Sequence, residues 1–484
     1  MQDTILVLSQ NAELAGLIAR TLRCRQVYCT LRSLRTSAEE VLALAPRGIV
    51  LAESTVPDAL HALDEALLTA GVPVLALGSA AVALCRHFGG QAAEPAVSSG
   101  YVTLGLTDSA LFASISGGER MLHGLYDFTL PSQLLPLATA TERVIGFRHA
   151  QFPLYALQYP IEHNDPDGAQ LLYNFAVNLC ACRADWDEDL IIDHAVAQIR
   201  RTAQAGDVLC AVSGGVDSAV CAKLAQLAVG ERLICVFVDT GLFRLDETQS
   251  VISGFMDTMG LVVAYVDAKE AFLHALSGVT SAADKERIAS SLMTQILLKQ
   301  LTFAPDIHTL VMGTNLNDVL YGFMPSAQID EAKGDAELCA CEPIRDLFKE
   351  EVRRIARALN LPASLAERQP FPASGLALRI MGKVTEERLS VLRAADACFA
   401  EEIHNSGFEK RLWQYYASLV ETPDQPDSYS ICLRALQAGQ SVANAARLAF
   451  DLLERTTERI LREVHGINRV VYDLTPGSHY MDLE

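Results

Sequence analysis

Six consecutive residues, Ser213-Gly214-Gly215-Val216-Asp217-Ser218, carry the side-chain types of a phosphate-binding loop. Glycines at Gly214 and Gly215 let the main chain approach an anion closely. A tight loop that opens a helix aims free backbone N–H groups at one point, where negative charge is favoured. Ser213 and Ser218 add hydroxyl donors, and Asp217 is a candidate magnesium ligand. No Gly-Lys-Ser/Thr closes the loop, so it is not the Walker type.

The elements around the loop are arranged to present it. Asp207-Val-Leu-Cys-Ala-Val212 is an apolar, strand-like run, and Ala219 to Leu227 has helical periodicity, giving strand, loop and helix. A second apolar strand ends in Val238-Asp239-Thr-Gly241, and a third in Gly313-Thr314-Asn315-Leu-Asn317-Asp318. Open α/β sheets bind ligands at the carboxyl ends of their strands, which puts Val238, Asp239, Gly313 and Thr314 beside the loop. Asp318 reads either as a helix cap or as a second magnesium ligand facing Asp217. A helix is expected from Ala282 to Gln300, burying Ile288, Leu292, Ile296 and Leu297. Ser-Gly-Gly-x-Asp-Ser resembles the PP-loop of ATP pyrophosphatases, which cleave ATP between its α and β phosphates. The resemblance implies ATP as substrate, Mg2+ as cofactor and Asp217 and Asp318 as catalytic residues.

The chain has 484 residues, enough for two to four domains. A net charge of −20 argues against a nucleic-acid surface, which needs clustered Lys and Arg. Met1-Gln-Asp-Thr runs directly into Ile5-Leu-Val-Leu, so no secretory leader is expected and a cytoplasmic location follows. Ala66 to Cys85 is uncharged for twenty residues, but Gly71-Val-Pro73 interrupts it and no membrane span is expected. Twelve cysteines are scattered through the chain, so buried reduced thiols are expected rather than disulfides. Cys180/Cys182 and Cys339/Cys341 form Cys-x-Cys pairs; on a strand each pair would share one face.

Up to about residue 185 strands and helices alternate, predicting a parallel α/β sheet. Pro73-Val-Leu-Ala-Leu-Gly78-Ser79 and Leu157-Gln-Tyr159-Pro160-Ile-Glu162 resemble the strand ends of class I glutamine amidotransferases. That family places a cysteine nucleophile on the elbow after the first strand and a His-x-Glu pair after the second. Here Gly78 stands at the nucleophile position and Pro160 at the histidine position, leaving only Glu162. Ala52-Glu53-Ser54 replaces the Gly-Gly of the oxyanion site. Neither glycine nor proline supplies a nucleophile or a base, so this region is expected not to hydrolyse glutamine.

The runs Glu342-Pro-Ile-Arg-Asp-Leu-Phe-Lys-Glu-Glu-Val352, Pro370-Phe-Pro372, Gly375-Leu-Ala-Leu-Arg379 and Glu463-Val-His-Gly-Ile-Asn-Arg-Val-Val-Tyr-Asp473 resemble the GMP synthetase family along nearly the whole chain. The resemblance implies an α/β protein of three parts. These are a degenerate amidotransferase-like domain (1–185), a PP-loop ATP pyrophosphatase domain (186–362) and a small α+β domain (363–484) through which homodimers form. It also implies that a carbonyl oxygen of XMP is adenylated and that ammonia displaces AMP. Arg379 and Glu484 are then candidates for the acceptor site, and Lys333 is the lone cation in the shortened lid, 320–341. The family's tail lysine has no counterpart in Thr475-Pro-Gly-Ser-His-Tyr-Met-Asp-Leu-Glu484. Losing such a contact to a dianionic phosphate costs about 1.5–3 kcal/mol. Three functions stay open. One is amination of XMP or a related nucleotide acceptor, with ammonia free or from a separate donor protein. Another delivers a different nucleophile, such as sulfur from a donor protein, with Cys339 and Cys341 as candidates. The third is a non-catalytic nucleotide-binding regulator. A helix from Ser441 to Val464 is expected to cover the last sheet with Leu448, Leu452, Leu453, Ile460 and Leu461.

Overall fold

A computed structural model describes residues 3–53, 63–93, 99–159, 161–162, 165–301, 306–320, 329, 338–372, 374–421, 428–437 and 443–476. The chain divides into two compact units, Met1–Leu190 and Ile191–Glu484.

The first unit is built on a nine-stranded sheet in the order β2-β1-β3-β4-β11-β10-β9-β6-β7. Strands β1 (Ile5–Leu8), β2 (Cys29–Arg32), β3 (Gly48–Glu53), β4 (Val74–Gly78) and β11 (Leu154–Leu157) pair in parallel. The remaining strands, β6 (Ser99–Leu106), β7 (Gly118–His123), β9 (Leu134–Ala140) and β10 (Arg143–His149), run antiparallel to their neighbours. A short ribbon of β5 (Gln91–Ala93) and β8 (Asp127–Thr129) lies apart from the main sheet. Every residue of β1 and β3 is buried, the pattern of a parallel strand covered on both faces. The covering helices start on side-chain caps. Asn11 accepts from the Leu14 N–H at 2.9 Å to open Ala12–Cys24, and Ser37 and Glu40 form a capping box before Ala38–Ala43. The uncharged stretch 66–85 is a short helix, β4 and the start of helix Ser79–His87. Among the described residues no helix is long and apolar enough to cross a membrane.

The second unit holds two sheets. The first, all parallel, has the order β14-β13-β12-β15-β16. Its strands are β12 (Asp207–Ala211), β13 (Leu233–Asp239), β14 (Val263–Asp267), β15 (Ile307–Val311) and β16 (Cys339–Cys341). Helix Val216–Val229 follows β12 and is buried almost all round, at Val216, Ala219, Val220, Cys221, Ala222, Leu224 and Ala225. Its small residues let the sheet lie close on one side while helix Lys349–Ala358 packs on it from another.

The second sheet runs β17 (Ile380–Met381), β18 (Gln414–Glu421), β19 (Tyr429–Gln437) and β20 (Asn444–Ala445), with β21 (Ile467–Tyr472) also on β19. One hydrophobic cluster joins both sheets, from Leu209 and Val236 to Phe399, Ala417 and Ile431. Helix Phe450–Glu463 covers this second sheet but begins later than the sequence pattern implies. Residues 444–445 instead close the edge of β19, and Ala446 donates its N–H to Ala435 O at 2.8 Å. Tertiary pairing of an open strand edge outweighs the helix propensity of an alanine-rich run. The buried stripe is Leu452, Thr456 and Ile460 at i, i+4 spacing, with Leu461 45 % exposed rather than inward.

Candidate active site

Strand β12 delivers the chain to Ser213, and helix Val216–Val229 starts at Gly215, so Ser213–Gly215 form the bend between them. Gly214 has φ +83°, and a Cβ there would lie 2.4 Å from Arg368 Nη1 and from a Val251 methyl. Glycine is therefore required twice over, by dihedral and by space. No side chain caps the helix start, which leaves its N–H groups free for an anion. The hydroxyls hold the bend in shape. Ser218 Oγ donates to Gly215 O at 2.9 Å and accepts from the Ser213 N–H at 3.2 Å, while the Gly215 N–H points to Ser213 Oγ at 3.4 Å. Behind the loop, Arg368 pairs with Glu247; burial lowers the Arg368 pKa to about 10, and Arg244 adds to the shift.

Strand β15 brings Gly313, Thr314 and Asp318 to the same end of the sheet. Gly313 sits against the first turn of the loop helix, where a Cβ would lie 3.1 Å from Ser218 N and 3.2 Å from Asp217 Cβ. Thr314 donates its hydroxyl to Glu342 Oε1 at 2.6 Å, and Glu342 also pairs with Arg345. Asp318 accepts the Asn315 N–H at 2.8 Å. Burial pushes its carboxyl up to about 6; Asp217 and Glu342 push the same way, against the Asn315 N–H and Lys349. Asp217 Oδ2 pairs with Lys349 Nζ, whereas Asp217 Oδ1 is buried with no hydrogen-bond partner. An orphaned carboxylate oxygen beside a second carboxylate fits a divalent cation whose remaining ligands are substrate phosphates and water. Among the described residues no group of three or more His, Cys, Asp or Glu could hold a metal by itself.

Val238 and Asp239 end β13. Asp239 is 2 % exposed and accepts from the Gly241 N–H (2.9 Å) and the Tyr265 hydroxyl (2.8 Å), with Lys269 Nζ at 3.3 Å. It is held by β14, by the turn after β13 and by the first residue of helix Lys269–Ala275.

Two family models match this unit: NAD synthase over residues 191–404 and GMP synthase C terminal domain over 401–478. The full chain is 32% identical to the GMP synthase [glutamine-hydrolyzing] of Heliobacterium modesticaldum over 511 residues, covering 98% of both chains. The corresponding enzyme of Syntrophomonas wolfei is 33% identical, with 99% of each covered. The chain belongs to the GMP synthase family. The solved NMN synthetase of Francisella tularensis is far more distant, at 15% identity and a TM-score of 0.33, covering 58% of this chain and 96% of that one.

In the first unit, the position at which the sequence resemblance puts a nucleophile is Gly78. Gly78 closes β4 and precedes helix Ser79–His87 with φ 61° and ψ −127°. The sharp elbow is present, yet its apex has no side chain, and a Cβ there would lie 2.9 Å from Glu53 O. Ser79 turns away and donates to that same carbonyl at 2.8 Å. Glu53 is 6 % exposed and accepts from the Gln10 N–H at 2.5 Å and Ser9 Oγ at 3.4 Å. The segment that the sequence resemblance puts at the oxyanion site thus holds a buried carboxylate turned to the Ser9 hydroxyl and the Gln10 N–H. Cys85, on the helix that follows, has its thiol raised to about 11 by burial and directs Sγ to Gln91 O at 3.6 Å. Glu162 is exposed, and Pro160 falls outside the described residues.

Lys333 and Glu484 are also outside the described residues. Arg379 is 8 % exposed, with its guanidinium 3.5 Å from the Tyr416 ring centroid. Cys341 is buried beside Cys210 and Cys221, and burial raises it to about 11, whereas Cys339 is exposed. The two thiols are not presented together. The sequence motifs do not single out Lys349. Its signal lay in the run Glu342–Val352, but only the packing of helix Lys349–Ala358 on the loop helix shows its target.

Proposed function

We propose that the chain is an AMP-forming ligase that adenylates a carbonyl oxygen of XMP, or of a close purine-nucleotide relative, and lets ammonia displace AMP, with no glutaminase activity of its own. The observation that carries this reading is the pairing of an intact PP-loop, Asp217 and Asp318 with a nucleophile elbow whose apex is Gly78.

The acceptor oxygen attacks the α-phosphorus of ATP, the bond to the bridging oxygen breaks and pyrophosphate leaves. Ammonia then adds to the activated carbon, loses a proton and expels AMP. Positioning and neutralisation of developing phosphate charge govern such a transfer. The loop N–H groups and Ser213 hold the departing pyrophosphate. Asp217 and Asp318 would hold Mg2+, which supplies charge neutralisation at the phosphates. Lys349, paired with Asp217, brings a second positive charge to the leaving-group side. Thr314 lines the α-phosphate side, oriented by Glu342. Arg379 and Glu484 serve the acceptor, and Lys333 the lid. Val238 and Asp239 flank the adenosine.

The portion from residue 363 serves as a dimerisation module, supported by exposed Phe450 (76 %) and Leu474 (70 %). Sedimentation at twice the chain mass of 52.5 kDa tests it. For the reaction, incubation with ATP, Mg2+, XMP and ammonium should yield AMP and pyrophosphate in equal amounts, and Asp217→Asn should lower that yield at least a hundredfold. No AMP or pyrophosphate from the wild type would leave a nucleotide-binding regulator as the better reading, and equal turnover with and without Asp217 would contradict the role given to that carboxylate.

A further inference from the structure

Helix Ala282–Leu301 carries a lysine where an aliphatic residue belongs. Lys285 is 1 % exposed, and among the described residues no other lysine is buried to that degree. It sits inside the apolar surroundings of Ala289, Leu376, Ala377 and Ile380, all of them buried. Placing an ammonium there costs several kcal/mol of hydration that a methionine would not forfeit.

Among the described residues its Nζ donates to two partners, the carbonyl of Ala377 at 3.1 Å and that of Ile380 at 2.6 Å. These carbonyls bracket Arg379 at the end of the turn Gly375–Arg379, where β17 begins. The other end of the same turn is tied to the nucleotide side. Leu376 donates its N–H to Leu242 O at 2.8 Å, three residues beyond Asp239. Gly375, at φ +58°, packs on that carbonyl so closely that a Cβ would lie 2.4 Å from it. The turn is thus strung between the loop after β13 and one buried ammonium.

We infer that Lys285 is a positioning residue for the acceptor: it fixes the Ala377 and Ile380 carbonyls and so sets the reach of Arg379 relative to bound nucleotide. This rests on the acceptor role given to Arg379 above. A cation is suited to the task because one Nζ can bind two carbonyls that face the same point, and carbonyls ending a helical turn favour positive charge. The ATP loop makes no use of Lys285, so acceptor and ATP sites should respond differently to its loss.

The test compares full-length wild type with Lys285→Met, which keeps the volume, and Lys285→Gln, which keeps a donor without the charge. Amide hydrogen exchange across 376–381 should accelerate at least tenfold in Lys285→Met, with Lys285→Gln between the two. Affinity for a non-hydrolysable ATP analogue and the KM for ATP should stay within twofold, while the KM for XMP rises at least tenfold. Unchanged exchange at 376–381 in either folded variant would overturn the inference, as would ATP affinity and XMP KM weakening together. Should Lys285→Met not fold, Lys285→Gln gives the same readouts. If the wild type does not turn over XMP, the reaction proposed above fails. The exchange and ATP-affinity measurements then still decide whether Lys285 fixes the turn.

Discussion

Asp318 shows at a single residue how a site can work against the fold that holds it. Its carboxyl is pushed up to about 6 by burial, with Asp217 and Glu342 adding to the effect. A folded-state pKa above the unfolded value means the folded chain binds that proton more tightly. Stability is therefore given up as pH rises from about 4 through 6, by about 2–3 kcal/mol in total. Without Mg2+, Asp318→Asn should stabilise the protein at pH 7.5 by that order and have little effect at pH 4, as read by denaturant unfolding. The same variant should lose ATP cleavage at least a hundredfold, because the cation loses one of its two carboxylates. Gly78 makes the converse case. Gly78→Cys would place a Cβ 2.9 Å from Glu53 O at φ +61°. With Pro160 where the resemblance puts the histidine, no imidazole activates that thiol, so the variant should release no glutamate from glutamine and should lose about 1–3 kcal/mol of stability to strain.

The site depends at the next scale on one strand, one bend and one helix, and this unit was the most legible part of the sequence. An apolar run, Gly-Gly and a helix-periodic run can be read locally, because each choice concerns neighbours in the chain. Gly214→Ala should show how tightly the bend is drawn. With φ +83° and Arg368 and Val251 both 2.4 Å from the added Cβ, ATP affinity should fall at least tenfold and stability by about 1–3 kcal/mol. What the sequence concealed depends on distant partners. Residues 444–445 form a strand because β19 has an edge to close, which no window of alanines reveals. Lys349 and Lys285 look like ordinary surface lysines until helix Lys349–Ala358 lies on the loop helix and the Gly375 turn lies over Lys285. The periodicity of helix Ala282–Leu301 points to Ile288, Leu292, Ile296 and Leu297; Leu297 is buried, the other three are only partly buried, and Lys285 and Ala289 are buried as well. The elbow at Gly78 was readable as a missing side chain, but the occupation of its surroundings by Glu53 needed the fold.

For the whole molecule, a unit proposed to split ATP is joined to a unit in which Gly78 stands where the sequence resemblance puts a nucleophile. The relatives' own description as glutamine-hydrolyzing makes this contrast the point on which the account stands. The direct measurement supplies purified full-length protein with ATP, Mg2+ and XMP, and offers nitrogen either as ammonium or as glutamine. AMP, pyrophosphate and glutamate are quantified in each arm. The account predicts AMP and pyrophosphate with ammonium, and no glutamate from glutamine. Glutamate released stoichiometrically with AMP in the glutamine arm would contradict it.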